Sequence, residues 1–258
     1  MSDIAGWSAP AEDHSMPRRA KSKYVPPKNP STASLADALR GTERLPENKQ
    51  LGFLDGAKED GEARLYYAGD LSLLARPCVS IVGTRKVSDA GATATEWLAR
   101  KLVKAGIVVV SGLAYGVDTV AHTAAIAEGG KTIAVIGTPL SKASPSENAQ
   151  LQEQIYREHL LISQFPEDRN TTRINFPLRN KLMALLSDAT VVIEASDTSG
   201  TLHQAAECTR LGRWLFIAKS VVEDPNLTWP KNFTKYKTCV VLDKASQITD
   251  RVLKSSSR

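Results

Sequence analysis

The chain has 258 residues, 42% of them hydrophobic, and carries 33 Lys and Arg against 28 Asp and Glu, a formal charge of +5. That length supplies one α/β core with extensions and would be a squeeze for two full domains; no apolar run approaches the roughly 18 residues that cross a bilayer, and no apolar leader core opens the chain. Cys78, Cys208 and Cys239 lack zinc or C-x-x-C spacing, and His14, His122, His159 and His203 form no metal pattern, so the expectation is a cytoplasmic protein with reduced thiols, no metal, no cofactor and no membrane partner.

Residues 1–50 are rich in Pro, Ser and charge (PRRAKSKYVPPKNPS) and show no sustained period, which predicts a largely disordered basic tail with a short helix near 33–39. Its Arg18, Arg19, Lys21, Lys23 and Lys28 around Tyr24 suit a solvated tail or a nucleic-acid contact. Residues 51–78 read as a lead-in in which LYYAG forms a short edge strand. Elements then alternate over 79–220. Strands are expected at 79–82, 107–110, 132–136, 160–163, 190–194 and 214–218, and helices at 89–105, 116–128, 148–158, 177–187 and 201–211. The β-branched runs IVVV and IAVI suit strands covered on both faces. The fold class that follows is α/β, Rossmann-like, a mainly parallel sheet with helices on both faces. Residues 164–176 have no clear period and are long enough for a functional loop, and 221–258 read as an extension with a strand at 238–242 and a short helix.

Three turns follow strands and would open on one edge of such a sheet. The first is Gly83, Thr84, Arg85, where a guanidinium just past a glycine turn can grip phosphate oxygens. The second lies between Gly112 and Gly116, and the third is Ser199, Gly200, Thr201 at a helix mouth; free N–H groups there suit an anion, while tight turns and helix capping explain the same residues without one. G-x-G-x-x-G is absent after the first core strand and a P-loop is absent throughout, which removes support from nicotinamide chemistry and ordinary NTP hydrolysis.

The stretches LYYAGDLSLLARPCVSIVGTRK, VVVSGLAYGVDTVAHTAAIAEGGKTIAVIG, SPSEN, INFPLRNKLMALLSDATVVIEA and SGTLHQAAECTRLGRWLFIAKS, in this order from about residue 65 to 220, resemble the DNA-processing protein A family (DprA, also called Smf), within the Rossmann-like group that includes the lonely-guy proteins. The resemblance implies a single-stranded DNA-binding protein that reads no sequence, forms a homodimer and passes DNA to the RecA recombinase in natural transformation. It implies that Arg85, Ser111, Gly112, Phe176, Arg179, Asn180 and Lys181 lie in or beside the DNA pocket; Asp118 matches the acidic residue of the family's SGLAYGVD motif, but a carboxylate does not attract phosphate, so its expected role is turn or helix-start structure. Ala218-Lys219 stands where the family usually has Pro-Gly, and the chain looks like a minimal core version without full flanking domains.

Phe176 beside Pro177 is either a hydrophobic staple or a stacking platform. Arg179 and Lys181, on the first turn of the expected helix, oppose its dipole, an arrangement better tolerated where an anion binds. Two other functions fit a Rossmann-like pocket: a sensor of a nucleotide or nucleotide-derived signal, and a lonely-guy-like phosphoribohydrolase. The second is disfavoured because Gln204 stands where those enzymes place a glutamate and Glu207 lies nearly a helical turn further on. The expectation is a binding protein and not an enzyme.

Overall fold

The computed structural model describes residues 23–45 and 63–255. Its central strands divide their side chains between two apolar layers with period two, as the pleat requires. In β3 (Cys78–Val82), Val79 and Ile81 face one layer and Cys78 and Val82 the other; in β4 (Val108–Ser111), Val109 opposes Val108 and Val110. In β5 (Thr132–Ile136), Ile133 and Val135 oppose Ala134 and Ile136. All of these are buried, and full burial of each Val or Ile contributes about 1.5 to 3 kcal/mol.

The first layer is closed by α5 (Asn175–Leu185) and α6 (Thr201–Arg210), the second by α2 (Asp89–Lys104), α3 (Val117–Ala127) and α9 (Ser246–Ser255); α4 (Ala149–Glu158) covers a smaller apolar cluster. With β1 (Ser31–Ser34), β2 (Arg64–Gly69), β6 (Leu160–Ser163), β7 (Ala189–Val192), β8 (Trp214–Ala218) and β9 (Cys239–Leu242), the nine-stranded order is β1-β2-β6-β5-β4-β3-β7-β8-β9. Strands β3 to β9 are parallel, and β1 and β2 run antiparallel at one side. The fold class is therefore the expected one. From β3 the chain proceeds outward through β4, β5 and β6, then returns to place β7 on the other side of β3, so the crevice between the carboxyl ends of β3 and β7 is the switch point where this architecture binds ligands.

The amino-terminal segment departs from its expectation. Residues 31–34 pair in register with β2, from Ser31 opposite Tyr67 to Ser34 opposite Arg64, so β1 and not LYYAG takes the edge. The helix α1 (Leu35–Ala38) follows, capped by the Ser34 side chain. Leu35 and Leu39 are buried, and Arg44 is only 2% exposed, its guanidinium donating to the carbonyls of Leu186, Leu74 and Arg76. A tail is held here by side-chain burial and a cation, signals that hydrophobic periodicity does not report. Residues 1–22 and 46–50 of the expected tail, with Arg18, Arg19 and Lys21, lie outside the described residues, as do 51–62 of the lead-in. Two short helices, α7 (Lys219–Val222) and α8 (Pro230–Phe233), have no counterpart in the sequence reading.

Candidate functional site

The turns after β3 and β7 are tied to each other. Thr84 N donates to Glu194 O at 2.7 Å, and Thr201 Oγ1 donates to Gly83 O at 3.3 Å. The Glu194 carboxylate accepts from both the N–H and the hydroxyl of Ser88, each at 3.1 Å, at the start of α2. That helix N-terminus thus has its own anion, and Glu194, read from the sequence only as a strand residue, is a structural tie across the crevice. Ser199 Oγ accepts from Thr201 N at 3.2 Å, which is the capping alternative. Asn180 Nδ2 donates to Gly200 O at 3.0 Å and brings α5 onto the same turn. Asp197 accepts from the N–H groups of Trp229 and Thr228 and from the Thr228 hydroxyl; these bonds, that of Trp229 foremost, hold its carboxyl below the usual range.

On the β4 side the arrangement differs from the expectation. The helix α5 begins at Asn175, two residues before the expected start, and Asn175, Arg179, Leu182 and Met183 form its buried stripe. Arg179 is 4% exposed, and its Nη1 donates to the carbonyls of Gly112 and, at 2.9 Å, Val135. Gly112 has no side chain because one would run into this guanidinium on one side and the Asp118 carboxylate on the other. Asp118 Oδ2 accepts from Ala114 N at 3.2 Å, so it organises the turn, as expected of a carboxylate that cannot serve a phosphate. Burial is the main influence on both charges: it raises the Asp118 carboxyl and lowers the Arg179 guanidinium, and each partly offsets the shift of the other. Arg179 is therefore a support for the β4 and β5 ends and not a residue on the surface. Ser111 also leaves the candidate contact set. It is fully buried and donates to Ile81 O at 2.7 Å inside the sheet.

The surface of the edge is made by other residues. Arg85 is exposed, and its guanidinium lies 5.7 Å from the centroid of the Phe176 ring. Phe176 is half-buried on the first turn of α5, and its ring lies flat enough on Gly137 that a Cβ there would stand 2.8 Å from Cδ1. Gly137 is thus the seat of the ring, a glycine the sequence reading passed over. Lys181 is half-buried beside Asn180 on the same helix. Arg173, exposed and without an ion pair among the described residues, and Ile174, 58% exposed, precede the ring; Tyr115 stands 42% exposed on the turn after β4. Arg173 and Ile174 were legible only as part of an aperiodic stretch long enough for a functional loop. The edge offers cations around an accessible aromatic face, which is the chemistry of phosphate contact and base stacking.

No such placement favours hydrolysis. Gln204 is fully buried, donating to Thr190 Oγ1 at 3.4 Å within the core, and Glu207, 5% exposed, is engaged by Arg210. Among the described residues no three His, Cys, Asp or Glu side chains are placed to hold a metal ion, and no helix is long and apolar enough to cross a membrane.

The family model described as DNA recombination-mediator protein A matches residues 53–252. The DNA processing protein DprA of Streptococcus pneumoniae is 39% identical over 165 residues, covering 64% of this chain and 58% of that protein; the Bacillus subtilis DprA is 32% identical over 188 residues, 72% of this chain and 63% of its own. The chain thus spans about three fifths of the length of these relatives. Among solved structures, that of Streptococcus pneumoniae DprA superposes with a TM-score of 0.71 at 31% identity, over 87% of this chain and 75% of that one. A Helicobacter pylori DNA processing protein A, whose structure concerns its single-stranded DNA binding mode, gives 0.68 at 25% identity, over 86% and 96%. With a shared fold, a match across most of the described residues and relatives above 30% identity, the chain belongs to the DNA recombination-mediator protein A family, the DprA/Smf proteins.

Proposed function

We propose that this protein binds single-stranded DNA along the carboxyl edge of its sheet, without reading sequence and without breaking a bond. The observation that carries this reading is the exposed Arg85 stacked on Phe176: a cation and an aromatic face at one point of the switch-point edge, the pair of groups a flexible strand with unstacked bases engages. Arg85, Arg173 and Lys181 meet phosphates, and Phe176 takes a base once Arg85 swings from the ring to the backbone. Gly83, Thr84, Ser199, Gly200 and Thr201 shape the crevice wall, Asn180 fixes α5 against it, and Arg179 with Gly112 stiffens the adjoining strand ends. The formal charge of +5 acts in the same direction as a weak long-range attraction.

The single-stranded DNA binding mode of the Helicobacter pylori relative supports the choice of ligand. Family membership supports a role in DNA recombination, with RecA recombinase as the recipient of the strand, natural transformation as one setting, a homodimer as the working form and the cytoplasm as its place. The test is a titration of purified protein with single-stranded and duplex oligonucleotides at two salt concentrations. Single strands should bind more tightly, with log affinity falling against log salt by about 0.7 per phosphate neutralised. Equal affinity for the duplex, or no dependence on salt, refutes the proposal.

A further inference from the structure

We propose that the cavity beside Phe176 holds one nucleotide of the bound strand, with its phosphate at Lys142 and its base against the Tyr24 ring. This inference rests on the single-strand reading of the edge. The cavity measures about 460 Å³, within the range of sites that enclose a small ligand, and its wall includes Tyr24, Thr138, Lys142, Ser144, Ser146 and Thr171. Two of its wall residues are linked along the chain to the stacking platform. Thr138 follows Gly137, the seat of the Phe176 ring, and Thr171 lies on the segment that leads through Arg173 into α5.

The wall chemistry is that of a nucleotide. Lys142 is exposed and forms no ion pair among the described residues, and the hydroxyls of Ser144 and Thr171 make no hydrogen bond there either. The Tyr24 ring is fixed in place: its hydroxyl donates to Leu140 O at 2.7 Å, and the next residue is held by Glu153 on its N–H at 2.8 Å and by the Tyr156 hydroxyl on its carbonyl at 2.9 Å. Burial, chiefly, pushes the Tyr24 phenol up to about 12, so it stays neutral. Nearby carboxylates set the polarity of the cavity. Glu153 is occupied by Val25 and Arg157, Glu147 accepts from the Ser146 hydroxyl at 3.0 Å, and Glu167 bears on the Tyr24 side. The phosphate consequently belongs at the Lys142 end and the uncharged base at the tyrosine.

The experiment compares wild type, Lys142→Gln and Arg85→Ala on oligothymidylates from roughly 4 to 20 nucleotides, with free dTMP as a separate ligand. Lys142→Gln should leave the shortest oligonucleotide unaffected, weaken the long ones about fivefold, and lower the salt slope by about 0.7. Tyr24→Phe, which keeps the ring, should retain the length dependence. If Lys142→Gln matches wild type at every length while Arg85→Ala binds weakly, the cavity takes no part and the edge reading stands. If wild type binds no single strand, both ideas fall together. Saturable dTMP binding that Lys142→Gln abolishes, with strand affinity unchanged, overturns the inference and makes the cavity a site for free nucleotides.

Discussion

Replacing Arg179 by alanine should destabilise the fold, in contrast to replacing Arg85. The wild-type guanidinium is 4% exposed, donates to the carbonyls of Gly112 and Val135, and faces the buried Asp118 carboxylate across a glycine. Its removal takes a charged donor from both carbonyls and leaves Asp118 as a buried charge without the cation that offsets its burial. Breaking a buried charged arrangement costs about 3 to 5 kcal/mol, and the lower end applies because the two groups make no direct ion pair. For a chain of this size that corresponds to a fall in Tm of roughly 6 to 12 °C. Thermal melts and urea titrations read the effect, and Asp118→Asn in the Arg179→Met background should recover part of it by removing the stranded charge. Arg85→Ala, an exposed change, should alter stability by less than about 1 kcal/mol and still weaken DNA binding. If Arg179→Ala melts with wild type yet loses DNA, the residue contacts the ligand directly and the argument from burial is wrong.

Gly137→Ala should lift the Phe176 ring from its seat and weaken single-strand binding nearly as much as Phe176→Ala, each by about 1 to 3 kcal/mol, with little loss of stability because the ring is half-exposed; unchanged titrations of both variants exclude a stacking role. His122 is fully buried with a pKa lowered to about 3, chiefly by burial, from an ordinary value of 6.5. The unfolded chain therefore binds a proton that the folded one refuses, and stability is lost as pH falls from 6.5 toward 3, by about 1.4 kcal/mol per pH unit for this residue. Urea midpoints measured across that window should fall less steeply for His122→Gln; parallel profiles would show that another group governs acid sensitivity. Gln204→Glu should lower the melting temperature by placing a carboxylate in the core beside Thr190, and should release no free base from nucleoside monophosphates; turnover in that variant would revive the hydrolase reading.

The parallel core was legible because its strands are short β-branched runs separated by helices of ordinary length, and burial on both faces leaves that pattern in the sequence. The site was legible as an edge and only partly as residues. Pro177 marks the first turn of α5 but not its first residue, since none of the leading N–H groups of a helix needs an internal partner. Arg179 lies on the buried stripe of α5 with Asn175, Leu182 and Met183, and a charged side chain on that face has no apolar signature to reveal it. Gly137 and Glu194 escaped for a related reason: one acts through the space it leaves for a ring two elements away, the other through a carboxylate that reaches across the crevice. Strand β1 reads STAS, without hydrophobic alternation, and exists because β2 offers it a ladder.

The family model begins at residue 53, whereas β1, α1 and Arg44 precede it. The boundary of the matched residues and the boundary of foldability therefore do not coincide. A version trimmed to the matched residues would keep every family motif, yet it would strip the donor from the carbonyls of Leu74, Arg76 and Leu186 and bare the β2 ladder. An open strand of that kind recruits other chains, so such a fragment is expected to aggregate for want of a few residues at its amino-terminal side.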